Sequence, residues 1–375
     1  MKADRISRLA LLSPALASLA TAAPAQDGSA PFLDWTVEES RAFGLEMIAS
    51  RLTLADHFAP PFDEELVEQL EAAAGPLLAR FGGTLAERDA QLAEELAAAL
   101  AEMAEAAEEG EDPSAAAAEA ASLLARAREV VLDQEVREAP AFKAAVLVDL
   151  LLAEGGVAEG YEEAVEEVWE YPSGWTTLQR VDLLWAEIQS LATEEHRGDA
   201  EEMLAALHAL YPDAGPPGSV VGWNPEEAEA PAQRLAGIVE SVVGADLFPG
   251  RDFARLAAHL AETTGASCAA YEVGDDAIGV EAIIAVHDLY EGELAATAGL
   301  FAPEAHAEAQ ELFPTLAELG EDDDDEGEEE GEDDEAEDGE QTEESDTAPA
   351  DPSAHAAACA ALSETLSDIG SALGG

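Results

Sequence analysis

Apolar residues that recur every three or four positions limit the folds open to this chain more than any other feature. Leu92, Leu96, Leu100 and Met103 follow one another at spacings of four, four and three, which places them on one face of an α-helix. Leu178, Val181, Trp185 and Ile188 repeat the pattern, and so do Leu362, Leu366 and Ile369. No segment alternates apolar and polar residues over six positions, as a half-buried strand does. The chain therefore reads as all-α, a multi-helix up-and-down bundle or pair of bundles.

Start and stop signals divide the stripes into blocks. Thr36 to Glu39 and Thr84 to Glu87 have the form of capping boxes, and Asp63 precedes the apolar face of Leu66, Leu70 and Leu77. Asp112 before Pro113 reads as a cap followed by proline in the first turn. These signals give an N-terminal block over 36–132. A second block, 138–212, holds the strongly apolar stretch from Phe142 to Ala153, stopped by Gly155 and Gly156. A third block, 224–319, opens on Asn224, Pro225 and Glu227. Residues 320–351 read as a disordered acidic linker, since 320–347 hold 19 acids and no base. Helical spacing returns over 352–373. At the other end, Lys2, Arg5 and Arg8 precede an apolar run from Leu9 to Ala22 and the small residues Ala23, Pro24 and Ala25, so 1–25 reads as a secretory signal.

Charge narrows the setting. Asp and Glu total 83 against 16 Lys and Arg, a formal charge of −67 over 375 residues. A general grip on nucleic acid needs cations against phosphates, and this chain has few. A polybasic anchor on a membrane surface is disfavoured for the same reason. After the N-terminal run no stretch is long and apolar enough to span a bilayer, so the mature chain is expected to stay out of the membrane. So much like charge repels itself at ordinary ionic strength. At about 1 M salt the screening length falls to ~3 Å. The expected setting is the outer side of the membrane of an extreme halophile. In such a compartment Cys268 and Cys359 can form a disulfide that staples the last helix to the third block. The alternative is two buried small side chains in alanine-rich helices.

Chemical motifs are sparse. There is no GxxxxGK, GxGxxG, GxSxG or HExxH, and two cysteines cannot build a cysteine-rich zinc site. No enzyme is expected. Two constellations could hold a hard cation. Glu159, Glu162, Glu163 and Glu166 fall on neighbouring turns, with Glu159 and Glu163 four apart. His287 and Glu291 are also four apart, on a helix entered through Asp275. His259 and Glu262 make a looser pair. Each has a plainer reading, as a solvated acidic face or as a helix cap followed by a surface histidine. Tyr161, Trp169, Trp175 and Trp185 read as packing residues.

Tyr271-x-x-Gly274-Asp275, a helix, and then Tyr290 to Glu293 resemble the helical extracytoplasmic domain of bacterial-type iron permeases. Imelysin-like iron-uptake proteins are a more distant resemblance. The segments 155–166 and 224–235 resemble text in secreted helical proteins of haloarchaea, which places 36–373 near that group. The chain departs from the permease pattern in carrying Leu294 where that hairpin has an acid, and Ala158 to Glu162 echoes the intramembrane motif without its arginine. The resemblance implies an extracytoplasmic accessory that binds iron or copper. Its implied partners are a membrane transporter or a blue-copper redox protein, and its candidate metal ligands are Glu159, Glu162, Glu163, His287 and Glu291. The alternative is a secreted structural or protein-interaction module that holds no ligand.

Overall fold

The computed structural model describes residues 35–60, 62, 64–153, 155–165, 167–214, 224, 227–245, 247, 253–321 and 352–374. Among these the regular structure is helical and no strand occurs. The expected signal segment, Asp63, Glu166 and nearly all of the acidic linker lie outside the described residues. The chain gathers into two compact units. Of the described residues, the first takes those from Trp35 to Leu247 together with Asp288–Ala296; the second takes Phe253–His287 and those from Thr297 onward.

The first unit begins with α1 (Thr36–His57), α2 (Glu64–Ala74), α3 (Pro76–Ala79), α4 (Gly82–Glu108) and α5 (Ser114–Val131). It continues with α6 (Gln134–Glu138), α7 (Pro140–Leu152), α8 (Val157–Glu163), α9 (Glu170–Ile188), α10 (Glu194–Leu210) and α11 (Glu229–Val243). Helix α1 packs against α2, α3, α5, α7 and α9 and is buried on nearly every side. This explains why it carries polar residues as well as apolar ones inside: Arg41, Glu46, Ser50 and Arg51 are all buried. Helix α7 is apolar over most of its circumference, as a largely enclosed helix is, with Lys143 and Asp149 the exceptions. The amphipathic α4 and α5 cover the core from outside with Leu92, Leu96, Leu100 and Met103 facing Leu123, Leu124 and Ala127 across the same hydrophobic cluster.

The helix starts depart from the capping-box reading at two places. Trp35 holds the cap position of α1 without a side-chain hydrogen bond, and Thr36 is already in the helix. Phe81 does the same for α4, leaving Thr84 buried inside. The cap that does form sits further on. Asp89 leaves helical geometry at φ −153° and ψ 80°, and its Oδ1 accepts from the Leu92 N–H at 3.1 Å. Helix α4 is thus two helices joined at a kink, with Asp89 starting the longer one. Thr193 Oγ1 accepts from the His196 N–H at 3.1 Å and caps α10, whereas Pro113 holds the cap position of α5 and Asp112 Oδ1 accepts from the Ser114 N–H at 3.0 Å from just outside the helix. Asn224 closes only a turn, its carbonyl accepting from the Glu227 N–H at 3.0 Å, and α11 begins later, at Glu229. Gly244, at φ +65°, ends α11 in the left-handed conformation that glycine takes most readily.

The second unit holds α12 (Phe253–Glu272), α13 (Asp276–Leu289, to His287), α14 (Ala295–Phe301, from Thr297), α15 (Pro303–Glu321) and α16 (Pro352–Leu373). Helix α16 packs along α12 and α15 and contributes Leu362, Leu366 and Ile369 to the interior. Gly370 lets the backbones approach, since a Cβ there would lie 3.3 Å from the Ala254 carbonyl. Cys268 and Cys359 are joined as a disulfide with their Cα atoms 5.5 Å apart, so the stapled arrangement is the one formed.

Candidate functional site

The residues expected to hold a metal are distributed as follows. Glu159 sits in the first turn of α8 and accepts a hydrogen bond from the Gly155 N–H, closing the turn that Gly155 makes at φ +75°. Glu162 is half-buried and Glu163 exposed on the same short helix. His287 is exposed at the end of its stretch of the second unit and packs edge-on against Phe313, ring centres 4.9 Å apart. Glu291 belongs to the first unit and lies in a π-helical turn, Tyr290–Leu294. That turn replaces the α register in which residues four apart share a face. Among the described residues, no group of three or more His, Cys, Asp or Glu side chains is gathered as a metal site requires. Tyr161 packs as expected, 4% exposed and edge-on to Tyr211 at 5.6 Å.

Three polar constellations in the first unit were not expected from the sequence. The first centres on Glu46, which is 1% exposed on α1. Arg180 of α9 meets its carboxylate with two nitrogens, at 2.7 and 2.6 Å, and Arg128 of α5 reaches the other oxygen. One buried carboxylate thus ties three helices together through charge-assisted hydrogen bonds. The second centres on Arg51, also on α1, which donates to Ser173 Oγ. Beside it Ser50 shares its hydroxyl with Thr176 at 2.6 Å and Thr177 at 3.1 Å. Burial lowers the proton affinity of the Arg51 guanidinium, and Glu170 acts in the opposite sense.

The third constellation joins α1, Arg80 just after α3, α7 and Asp288 of the Asp288–Ala296 stretch. Arg80 pairs with Asp288 and donates to Ser40 Oγ at 3.1 Å, while its guanidinium lies 5.1 Å from the centre of the Phe43 ring. Burial, with Asp288 close by, pushes the Asp149 carboxyl up to about 7, and Arg80 acts against that. Burial also pushes the Glu39 carboxyl well up, with Asp149 and Glu38 adding to the effect. Two carboxyl groups in one poorly hydrated place disfavour each other's ionisation.

A cleft of about 970 Å³ opens beside the Glu46 clamp. Its floor is α1, through Ala49, Leu52 and Thr53. One wall is α5, where Ala118, Ala121 and Ala125 are exposed at helical spacing on a single face. The opposite wall comes from α7 and α9, with Lys143, Val146 and the half-exposed Leu183. The volume and the mixture of apolar wall and a few convergent charges are those of binding clefts in general.

Compared with family models, curated proteins and solved structures, the chain matches none.

The sequence held little signal for this site. The Glu46 pairs, the Arg51–Ser173 hydrogen bond and the Arg80–Asp288 pair each join positions more than eighty residues apart, and helical periodicity is blind to such pairs. The one available cue was the placement of scarce arginines, such as Arg51 between Ile48 and Leu52, inside apolar runs of a chain with so few cations. A buried cation needs a partner, so each of these arginines pointed to an anion or hydroxyl elsewhere in the fold.

Proposed function

We propose that this protein is a non-enzymatic, extracytoplasmic helical module of a halophile whose larger unit works by docking another protein. The observation that carries the reading is the cleft between α5 and the α7–α9 wall. Its lining, an apolar floor between helical walls, suits one more helix, and its exposed alanines permit close backbone approach. The acidity supports a high-salt setting, since a charge of −67 is tolerable only where it is screened.

A metal-handling accessory for iron or copper is the second reading. It is favoured by Glu159, Glu162 and Glu163 falling within the two turns of α8. Calorimetric titration with ferric iron and with copper, in molar sodium chloride, separates the two. On the docking reading, the heat seen disappears when residues 320–351 are deleted. A saturable one-to-one event that survives that deletion and is lost in Glu162→Ala or His287→Ala would overturn the docking reading in favour of metal handling.

A further inference from the structure

The docking reading leaves the chemistry of the partner open, and the cleft itself specifies it. The cations of its lining are recessed. Arg128, Arg137, Lys143 and Arg180 have side chains only 24–30% exposed. All four are already engaged: Arg128 and Arg180 by Glu46, Lys143 by Glu187 and Arg137 by Glu129, so that in the last two pairs the carboxylate lies outermost. The lip is acidic. Glu129 and Glu187 are 71% and 51% exposed, and Asp56 and Glu138 also face solvent. An incoming surface therefore meets an apolar floor and alanine ridge at the centre and carboxylates at the edges. Resting on the docking reading, we infer that the cleft receives an amphipathic α-helix of a partner protein, with a small or apolar contact face flanked by lysine or arginine.

The dimensions agree with this occupant. The α1 stretch that lines the cleft runs from Ala42 to Asp56, about 21 Å at ~1.5 Å per residue. That length matches a helix of about four turns. Exposed alanines at 118, 121 and 125 present a shallow ridge between which larger side chains of a second helix can seat. Leu183, 52% exposed on the opposite wall, supplies an apolar contact that the helix would cover. An anionic helix would place like charge against the four acids of the lip, and desolvating such pairs disfavours it.

Three fluorescent peptides of about eighteen residues test the inference on the full chain in molar sodium chloride. One is an alanine–leucine amphipathic helix with lysine flanks, one the same helix with glutamate flanks, and one a scrambled lysine peptide. Fluorescence anisotropy is expected to show saturable one-to-one binding of the lysine-flanked helix, tighter than the glutamate-flanked one by about two- to threefold, since molar salt screens all but charges in contact. Ala121→Trp fills the cleft from an exposed position and is expected to abolish binding, while its helical circular dichroism stays that of the parent. Equal or tighter binding of the glutamate-flanked helix, still blocked by Ala121→Trp, would overturn the inferred charge of the partner and leave the docking reading standing. Binding of the scrambled peptide, or binding untouched by Ala121→Trp, would overturn the cleft as the site. Sedimentation of the chain alone as a dimer that Ala121→Trp dissociates would make the occupant a second copy and overturn the inferred partner. Absence of binding by all three peptides would overturn the inference as well.

Discussion

Between about pH 4 and 7 the Asp149 carboxyl holds its proton more tightly in the folded chain than in the unfolded one, because burial and the nearby Asp288 disfavour its charge. The folded state therefore binds more protons in that window, and stability falls as the pH rises through it. Glu39 is shifted in the same direction by burial first and by Asp149 next, so it adds to the slope. The expected slope is up to ~1.4 kcal/mol per pH unit for each proton involved. Chemical denaturation at fixed molar salt from pH 4 to pH 9 measures it. Asp149→Asn is expected to flatten the curve and to be more stable than the parent above pH 7, and an unchanged curve would refute the assignment. Glu46 gives a second prediction at this scale. Removing it in Glu46→Ala leaves Arg128 and Arg180 facing a void, at a cost on the order of 3 kcal/mol. The same denaturation experiment reads that loss. Asp149 and Asp288 carry no local sequence mark and Glu39 carries only that of a capping box, so the three look unrelated among 83 acids until the fold brings them together.

At the scale of elements, the apolar periodicity located most helices well, and the last of them closely. The stripe through Leu362, Leu366 and Ile369 set α16 at Pro352–Leu373, the range read from the sequence. Periodicity reported less about α1, because a helix enclosed on all sides keeps no polar face by which to be oriented. The capping boxes at Thr36 and Thr84 misled for a related reason. Capping motifs are short, and here the helix begins earlier than the motif, so the threonines lie inside it. The cap at Asp89 was hidden because it interrupts what reads as a single helix. Asp89→Ala is expected to cost about 1 kcal/mol, by loss of the hydrogen bond to the Leu92 N–H. Thermal denaturation would show it, and an unaffected melting temperature would contradict the cap. Gly174 packs its Cα against the Tyr211 hydroxyl, leaving no room for a side chain. Gly174→Ala is expected to destabilise by about 1–3 kcal/mol through overpacking, measured in the same way.

For the whole molecule, two features act over long range. The Cys268–Cys359 disulfide closes a separation of 91 residues that spans the acidic segment. In the chain-entropy account a loop of that length is worth ~4 to 5 kcal/mol. Reduction at constant salt is expected to lower the melting temperature of the second unit, and unchanged melting on complete reduction would contradict a stabilising role. The charge acts on everything at once. Dilution from molar to millimolar salt is expected to reduce the helical circular dichroism signal, since repulsion among 83 acids is then unscreened. Charge and fold class were legible from composition and spacing alone. The cleft was not, because it is a space left between helices that sequence patterns describe one at a time. Methyl resonances of alanine-labelled protein, recorded with and without the lysine-flanked helix, test the docking account most directly. The account predicts that Ala49, Ala118, Ala121 and Ala125 shift together while Ala158 and Ala164 stay in place. Shifts confined to the region of Glu159 to Glu163, or none at all on saturation, would contradict it.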